Sequence, residues 1–299
     1  MKLLKKALLG LVALVVLLVA VVYGVSESRL RKTYDVAAAT GLAVTSDPAQ
    51  VARGRHLVTA VAKCVDCHGD DMAGKTFIDA GPLGVIYASN VTGGRGGILA
   101  SYTNAQLETA IRHGVRPDGR GLFIMPSDEY QNLSDADVSA IIAYLRTLRP
   151  VDRQHGTSHL GPVGRALYAA GKLPFIPAER MDHATSGART APPVGPTREY
   201  GQYLVSVGGC RGCHGPNLVG GPSPEPGAPP AANITPAGPI GQWSEAQFFT
   251  AIRTGTRPDG SKILEFMPWK SMARHTDDEL RAIWLYLQTV PPVQSAAAS

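Results

Sequence analysis

Cysteine is scarce in this chain, whose 299 residues include only four. They occur as two pairs, in "CVDCHG" at residues 64–69 and in "CRGCHG" at residues 210–215. A histidine follows each pair at once. Any chemistry that depends on cysteine is therefore confined to two short stretches, and both stretches have the same pattern.

Net charge is also lacking beyond the N-terminus. Residues 1–32 hold six Lys or Arg and one Glu, which accounts for the whole formal charge of +5. Residues 33–299 hold 23 Lys or Arg and 23 Asp or Glu, so they are neutral. No continuous basic patch is present in the sequence either, and nucleic-acid binding therefore has no support.

Three chemistries use paired cysteines at this spacing. A zinc site would take both pairs as four thiolate ligands, and a thioredoxin-like dithiol would use one pair beside a βαβ pattern. A c-type haem site bonds both sulfurs to the porphyrin, and the next histidine binds the iron. Only haem attachment explains why a histidine follows each of the two cysteine pairs. A zinc site and a redox dithiol are the alternatives. The residues expected to hold two haem groups are Cys64, Cys67, His68, Cys210, Cys213 and His214.

The chain repeats itself once. "IRHGVRPD" at 111–118 matches "IRTGTRPD" at 252–259, and "SDADVSAIIAYL" at 134–145 matches "TDDELRAIWLYL" at 276–287. A single repetition at this distance indicates two copies of one domain of about 100 residues, since a solenoid needs more copies with a shorter period.

Two methionines recur at one position of the repeat. Met125 lies in "FIMPS" and Met267 in "EFMPW", and each follows an "RPDG" turn and precedes a proline. A methionine is most often a gap-filler in a hydrophobic core. Recurrence at one place in two diverged copies favours a thioether ligand to each iron, and such a ligand raises the reduction potential.

Other polar residues recur without a clear assignment. The arginines are suited to forked hydrogen bonds with haem propionates, but a surface or turn role is as reasonable. The asparagines also suit either a turn or a propionate contact. These residues are Asn90, Arg112, Arg116, Asn233, Arg253 and Arg257.

The pattern of apolar residues predicts helices and no convincing strand. Helices are expected at about 48–62 and 198–209, before the cysteine pairs, and at 104–113, 135–148, 245–254 and 277–289. "TNAQ", "SEAQ" and "TDDE" at 103–106, 244–247 and 276–279 are capping-box signatures, and Asp47 precedes a proline suited to the first helical position. Aromatic residues are only 6% of the chain, so a small domain here needs its cofactor as part of the core.

The N-terminus contains the one long apolar run. Residues 7–25, "ALLGLVALVVLLVAVVYGV", carry no charge and are long enough for a membrane helix. They exceed the usual apolar core of a signal peptide and end without a clean cleavage site, so an uncleaved anchor is favoured over a cleaved signal. Lys2, Lys5 and Lys6 before the run favour a cytoplasmic N-terminus, although Arg29, Arg31 and Lys32 after the run weaken this signal.

The paired motifs resemble those of class I cytochrome c domains. "CVDCH" with "FIMP" and "CRGCH" with "FMP" carry the resemblance, which covers residues 48–149 and 197–291. The tandem pair is similar to the cytochrome c subunits of bacterial periplasmic alcohol and aldehyde dehydrogenases. Those subunits usually carry three such motifs, whereas this chain has two.

The resemblance implies an all-α fold of two tandem class I cytochrome c domains behind one transmembrane helix. The expected parts are an anchor with its flanks (1–32), domain 1 (33–150), a proline-rich linker (151–197) and domain 2 (198–299). The resemblance also implies haem attachment outside the cytoplasmic membrane, so both domains are expected to face the periplasm. With all four cysteines in thioethers, no disulfide is expected.

The expected function is the transfer of single electrons, without catalysis. The chain would bind two covalent haem c groups and accept electrons from a dehydrogenase or another quinol-side donor. It would pass them to a terminal oxidase or a soluble cytochrome. The alternative is a di-haem enzyme such as a cytochrome c peroxidase, which needs a vacant position at one iron.

Overall fold

The structure is a computed structural model that describes residues 1–37, 41–184, 189–222 and 229–294. Residues 223–228 and 295–299 of the predicted second domain lie outside this part of the chain. Helix α1 (Lys2–Leu30) contains the apolar run and is long and apolar enough to cross a membrane. Its side chains are exposed as far as Val21, and contact with the rest of the protein begins at Val22.

The two repeats contain the same order of helices. The first comprises α2 (Pro48–His56), a π-helical turn (Leu57–Val61), α3 (Cys64–His68), strands β1 (Lys75–Asp79) and β2 (Gly84–Ala88), α4 (Asn104–His113), α5 (Ser127–Tyr130) and α6 (Asp135–Arg146). Strand β3 (His159–Leu160) and helix α7 (Pro162–Ala169) then precede the second repeat. The second comprises α8 (Arg198–Val207), α9 (Cys210–His214), α10 (Glu245–Thr254), α11 (Trp269–Met272) and α12 (Asp277–Leu287).

The predicted helices and their caps are confirmed. Thr103, Ser244 and Thr276 each form a complete capping box with the side chain three residues later. The Asp47 side chain accepts a hydrogen bond from Ala49 N–H, with Pro48 at the first helical position. These ends depend on contacts within one turn, which is why a local sequence pattern predicts them.

The expectation of no strands is wrong. Strands β1, β2 and β3 form an antiparallel sheet in that order, with a bulge between Thr76 and Ile78. Most side chains of β1 are exposed, so the strand lacks the apolar alternation that sequence analysis requires. Strand β3 has two residues and comes from the segment predicted as a linker.

The first and last helices of each repeat cross at a glycine. A Cβ atom on Gly54 would lie 1.8 Å from the carbonyl oxygen of Ala140, and one on Gly201 would lie 1.9 Å from that of Ala282. The two backbones therefore touch, and α2 packs on α6 as α8 packs on α12. The contact depends on the missing side chain, since any other residue would force the helices apart.

One extra residue separates the crossing from the cysteines in the first repeat. Gly54 corresponds to Gly201, and ten residues later the chain reaches Cys64, whereas Cys210 comes nine residues after Gly201. The π-helical turn at Leu57–Val61 accommodates this residue, because a π-helix has a wider hydrogen-bonded loop than an α-helix. We call Cys64–His68 and Cys210–His214 the cysteine turns. Because of the π-helical turn, both cysteine turns follow the helix crossing of their repeat with a similar geometry.

Two hydrophobic cores result. The larger one joins both repeats and includes Leu57, Ile142, Leu204 and Leu280, which are almost entirely buried. The smaller one unites the sheet with the segment before α8, through Ile86, Leu160, Tyr168 and Ile176, and Leu30 of α1 packs against it. The predicted linker is thus partly folded onto the first repeat.

We expect Gly54→Ala and Gly201→Ala to destabilise the protein strongly. The added methyl group must displace a backbone carbonyl, and overpacking of this kind costs at least about 1–3 kcal/mol. Urea unfolding of the detergent-solubilised protein, followed by far-ultraviolet circular dichroism, measures the change.

Gly195→Ala is the control for the glycine substitutions. A Cβ atom at Gly195 meets nothing within 4 Å, so the free energy of unfolding should change little. Equal stability of Gly54→Ala and Gly195→Ala would contradict the proposed close contact between α2 and α6.

Candidate haem sites at the two cysteine turns

Both cysteine pairs lie on a single helical turn with left-handed residues at its ends. Lys63 has φ 54° before α3, and Gly209 has φ 72° before α9. Gly69 and Gly215 follow the helices with φ 80° and 77°. The left-handed conformation costs a lysine roughly 1–2 kcal/mol that it does not cost a glycine. Lys63 offsets this cost because its Nζ donates hydrogen bonds to the carbonyls of Val61 and Gly208.

The two predicted histidine ligands have the same orientation. His68 Nδ1 lies 2.8 Å from the carbonyl oxygen of Ser89, and His214 Nδ1 lies 2.7 Å from that of Ala232. A carbonyl oxygen only accepts, so each Nδ1 carries the proton and donates. The lone pair of each ring is then on Nε2. Burial lowers the pKa of both histidines, which favours the neutral form that binds a metal.

This donor set fits haem c. A metal-bound histidine commonly donates its other ring N–H to a backbone carbonyl, which sets the tautomer and the ring orientation. The cysteines of each pair lie one turn or less from the histidine, on the same short helix. Cys64 and Cys210 also pack against the larger hydrophobic core, as a porphyrin attachment point requires.

The two predicted methionine ligands share one backbone geometry. The carbonyl of Met125 accepts a hydrogen bond from Ser127 N–H, and the carbonyl of Met267 accepts one from Trp269 N–H, each at 2.7 Å. The proline after each methionine precedes a four-residue helix, α5 or α11. Both methionines are partly buried against the same core as the cysteines. The Met-Pro step therefore forms an equivalent turn in both repeats.

The recurrent asparagines have a structural role. Asn90 Nδ2 donates to the carbonyl of Val151 at 2.8 Å, and Asn233 Nδ2 donates to that of Val293 at 2.8 Å. Each side-chain oxygen accepts from the N–H and hydroxyl of the threonine two residues later, Thr92 or Thr235. The Asn-x-Thr pair thus holds the chain that leaves the last helix of its repeat.

The recurrent arginines also have protein partners. Arg112 Nη2 lies 2.6 Å from Asp135, and Arg253 Nη2 lies 2.6 Å from Asp277. Both aspartates are the first residues of the last helix, so these arginines join the third helix of each repeat to its last. Arg257 donates to Ser261 and to the carbonyl of Lys262 within its own turn.

The cysteine turns contact the opposite repeat. The Ser271 hydroxyl of α11 donates to Asp66, inside the first cysteine turn, at 2.6 Å. At the corresponding position of the second cysteine turn, the backbone of Gly212 faces the carboxylate of Glu129 in α5. Each contact uses one carboxylate. Asp66 belongs to a cysteine turn, whereas Glu129 belongs to the repeat opposite the second cysteine turn. Burial and the neighbouring Asp128 raise the pKa of Glu129 to about 7.

A polar network joins the crossing helices of the two repeats. His56 Nε2 lies 2.7 Å from Glu279, and the hydroxyl of Tyr203 lies 2.6 Å from Asp137. These two pairs occupy equivalent positions, because His56 aligns with Tyr203 and Asp137 with Glu279. Arg53 lies between them and donates to Asp137 at 3.0 Å and to the hydroxyl of Tyr200 at 3.1 Å.

Sequence analysis missed this network and both contacts of the cysteine turns. The residues of the polar network differ in type between the repeats, so they do not recur as a sequence motif. The sequence contains one signal of this network, which is the position of Asp137 and Glu279 on otherwise apolar helix faces. Both carboxylates are buried, and buried carboxylates need partners.

Comparisons with known proteins agree with this geometry. Residues 49–145 match the family described as "Cytochrome C oxidase, cbb3-type, subunit III". The match covers almost all of the first repeat, and it supports covalently bound haem c there. This confirms the resemblance inferred from the motifs.

The similar proteins are cytochrome subunits. The chain is 31% identical to the "Alcohol dehydrogenase (quinone), cytochrome c subunit" of Komagataeibacter europaeus, over 89% of this chain and 63% of the relative. It is 31% identical to the "Fructose dehydrogenase cytochrome subunit" of Gluconobacter japonicus, over 81% of this chain and 52% of the relative. The chain thus spans between half and two thirds of these relatives.

A shorter relative is covered almost completely. The chain is 27% identical to a "Diheme cytochrome c-type" protein of Cereibacter sphaeroides, over 87% of this chain and 96% of the relative. The chain is therefore similar to proteins named as cytochrome subunits of dehydrogenases and to a protein named as a diheme cytochrome c.

We expect the interface network to make stability depend on pH below 4.5. Burial alone would raise the pKa of Glu279, but hydrogen bonds from His56 and Thr276 and nearby imidazole charge lower it from 4.5 to about 2. A depressed carboxyl pKa stabilises the fold above the unfolded-state pKa, and the contribution is lost as the pH falls from 4.5 to 2. The loss is on the order of 3 kcal/mol.

Glu279→Gln should therefore flatten the acid limb of the stability profile and lower stability at pH 7. Unfolding by urea at several pH values measures both effects. Glu265→Gln is the matched control, since Glu265 is an exposed carboxylate paired with Lys270. An acid limb in Glu279→Gln as steep as in Glu265→Gln would show that Glu279 does not contribute as stated.

Proposed function

We propose that the protein carries two haem c groups, one in each repeat, and transfers single electrons between redox partners. In this proposal the repeats correspond to two tandem cytochrome c domains, at 33–150 and 198–299. The residues proposed to hold the first haem are Cys64, Cys67, His68 and Met125. The residues proposed to hold the second are Cys210, Cys213, His214 and Met267.

The observation that carries the proposal is the paired histidine geometry. His68 and His214 both direct Nδ1–H to a backbone carbonyl, so both present Nε2 as the basic atom. Two surface histidines in unrelated turns would have no reason to share this tautomer. The methionines of the equivalent Met-Pro turns would supply a further iron ligand at both places, and each bound haem would take up and release one electron at its iron.

The contacts between the repeats support electron transfer within the chain. Lys63 lies next to the first cysteine turn and donates to the carbonyl of Gly208, beside the second. Inside the two turns, Asp66 accepts a hydrogen bond from Ser271 of the opposite repeat, and Gly212 faces Glu129 of the opposite repeat. Both attachment segments therefore lie at one interface, which would keep the distance between two bound haems short.

The likeness of the two sites argues against a di-haem peroxidase. Such an enzyme needs one iron with a position open to peroxide, whereas both repeats here have a methionine in the same turn. A carrier needs closed coordination at each iron and no acid or base beside it, and this is the arrangement that the two turns favour.

The partners follow from the similar proteins and from α1. We infer that the chain is the electron-transfer subunit of a dehydrogenase and delivers electrons to a terminal oxidase or a soluble cytochrome. Helix α1 would hold it in the cytoplasmic membrane through residues 7–25, with both repeats in the periplasm. Haem attachment to cysteine pairs outside that membrane is consistent with this orientation.

We expect two haem groups per chain and a methionine–iron charge-transfer band from each. Met125→His and Met267→His should each remove about half of that band and lower the reduction potential of one haem, because histidine replaces a thioether that favours ferrous iron. Pyridine haemochrome absorbance gives the haem count. Optical and electron paramagnetic resonance titrations of the detergent-solubilised protein give the charge-transfer bands and the reduction potentials.

Met181→His is the control for the ligand variants. Met181 lies between the repeats and has no methionine counterpart, so both bands and both potentials should persist. One haem per chain would overturn the two-site proposal. A high-spin iron that binds cyanide at once in the unsubstituted protein would overturn the carrier function in favour of an enzyme.

A further inference from the structure

Helix α7 has an apolar face toward solvent. Its exposed residues Pro162, Val163 and Ala166, together with Ala170 just beyond its end, lie within about 100° of one another at 100° per residue. Its one charged residue, Arg165, is turned toward the protein instead. A surface helix of a soluble domain has the opposite arrangement, as in α12, where Asp277, Asp278 and Arg281 are exposed.

Arg165 joins α7 to the membrane helix. Its Nη1 donates to the hydroxyl of Ser26 at 3.0 Å and to the carboxylate of Glu27 at 2.9 Å. The guanidinium also lies 5.0 Å from the centre of the Tyr23 ring, inside the uncharged run of α1. Helix α7 is therefore held level with the end of that run.

A second group of contacts makes this junction rigid. Arg29 forms a two-pronged ion pair with Glu179, and its Nη1 donates to the carbonyl of Tyr168 at the end of α7. The Tyr168 hydroxyl donates to Glu179 at 2.7 Å, and its ring is fully buried. Helix α1 thus enters the folded part at a fixed place, beside α7.

The length of α1 determines where the membrane surface lies. A hydrocarbon core of about 30 Å needs about 20 helical residues. The uncharged run at 7–25 nearly fills this length, and protein contacts with α1 begin at Val22. A bilayer around the run must therefore reach the level of Tyr23 and Arg165. Helix α7 then lies at the level of the membrane surface.

We propose that α7 is an interfacial helix, whose apolar face of Pro162, Val163, Ala166 and Ala170 lies in the headgroup layer of the membrane that α1 spans. The occupant of this face is lipid, because Arg165 joins α7 to the end of the uncharged run of α1. Exposed Arg31, Lys32 and Lys172 lie beside the junction and can pair with lipid phosphates. The inference rests on the anchoring role of α1 proposed above.

The consequence is a fixed orientation of the first repeat. Gly164 of α7 packs on the backbone at Leu83, where a Cβ atom would lie 2.0 Å from the carbonyl oxygen. Strand β3, immediately before α7, pairs with β2. A membrane contact at α7 therefore sets the height and tilt of the first repeat, and a redox partner in the same membrane meets a defined face.

Nitroxide labels at three positions test the proposal in the full-length haem-loaded protein. Val163→Cys reports on α7, and Leu14→Cys reports on the middle of α1. Val194→Cys is the matched control, since Val194 is an exposed valine outside α7, 68% accessible. Nanodiscs of phosphatidylcholine and phosphatidylglycerol supply the bilayer, and collisions with oxygen and with a water-soluble nickel chelate give the depth of each label.

We expect the Val163 label within about 5–10 Å of the boundary between headgroups and acyl chains, the Leu14 label deep, and the Val194 label in water. A Val163 label as accessible to nickel as the Val194 label, beside a deep Leu14 label, would overturn the interfacial helix and leave the anchor intact. Shielding of the Val163 label from both colliders would mean a protein contact, such as a second copy, and would also overturn it. A Leu14 label in water would overturn the anchoring itself.

Discussion

The close crossing of the first and last helices is the constraint on which each repeat depends. At Gly54 and Gly201 the absence of a side chain lets two backbones touch. The cysteine turn begins directly after the first of these helices, and the Met-Pro turn comes shortly before the last. A single backbone contact therefore sets the positions of both predicted iron ligands in a repeat. The π-helical turn at Leu57–Val61 absorbs an extra residue without moving the cysteine turn.

The contact between the repeats keeps its geometry although its chemistry has diverged. His56 with Glu279 and Tyr203 with Asp137 are equivalent pairs with different donors, and both carboxylates are buried. A buried carboxylate without a donor is costly, so each pair must be changed as a unit. The cost favours one relative placement of the repeats, and that placement brings the two cysteine turns together. For a carrier of two haems, this is the arrangement that matters.

Helix α1 is part of the fold and does not end as a free tether. Its last turns pair with Glu179, Tyr168 and Arg165, which belong to the segment between the repeats. The same segment supplies strand β3 to the sheet of the first repeat. Loss of α1 would remove the guanidinium of Arg29 from Glu179 and from the carbonyl of Tyr168, and the carboxylate of Glu27 from Arg165. The junction therefore links anchoring to the orientation of the first repeat.

The sequence by itself determined the helices, their caps, the repeat and the candidate ligands, because each depends on residues a few positions apart. The candidate ligands form local patterns, which are paired cysteines with a following histidine and a methionine before a proline. Few kinds of site use these patterns. Only the tertiary structure decided the role of Asn90, because its partner at Val151 lies far along the chain. The same holds for the sheet, whose third strand comes from the predicted linker, and for the network around Arg53 and Glu279. These features arise from contacts between distant segments, and no periodicity along the chain records which segments will meet.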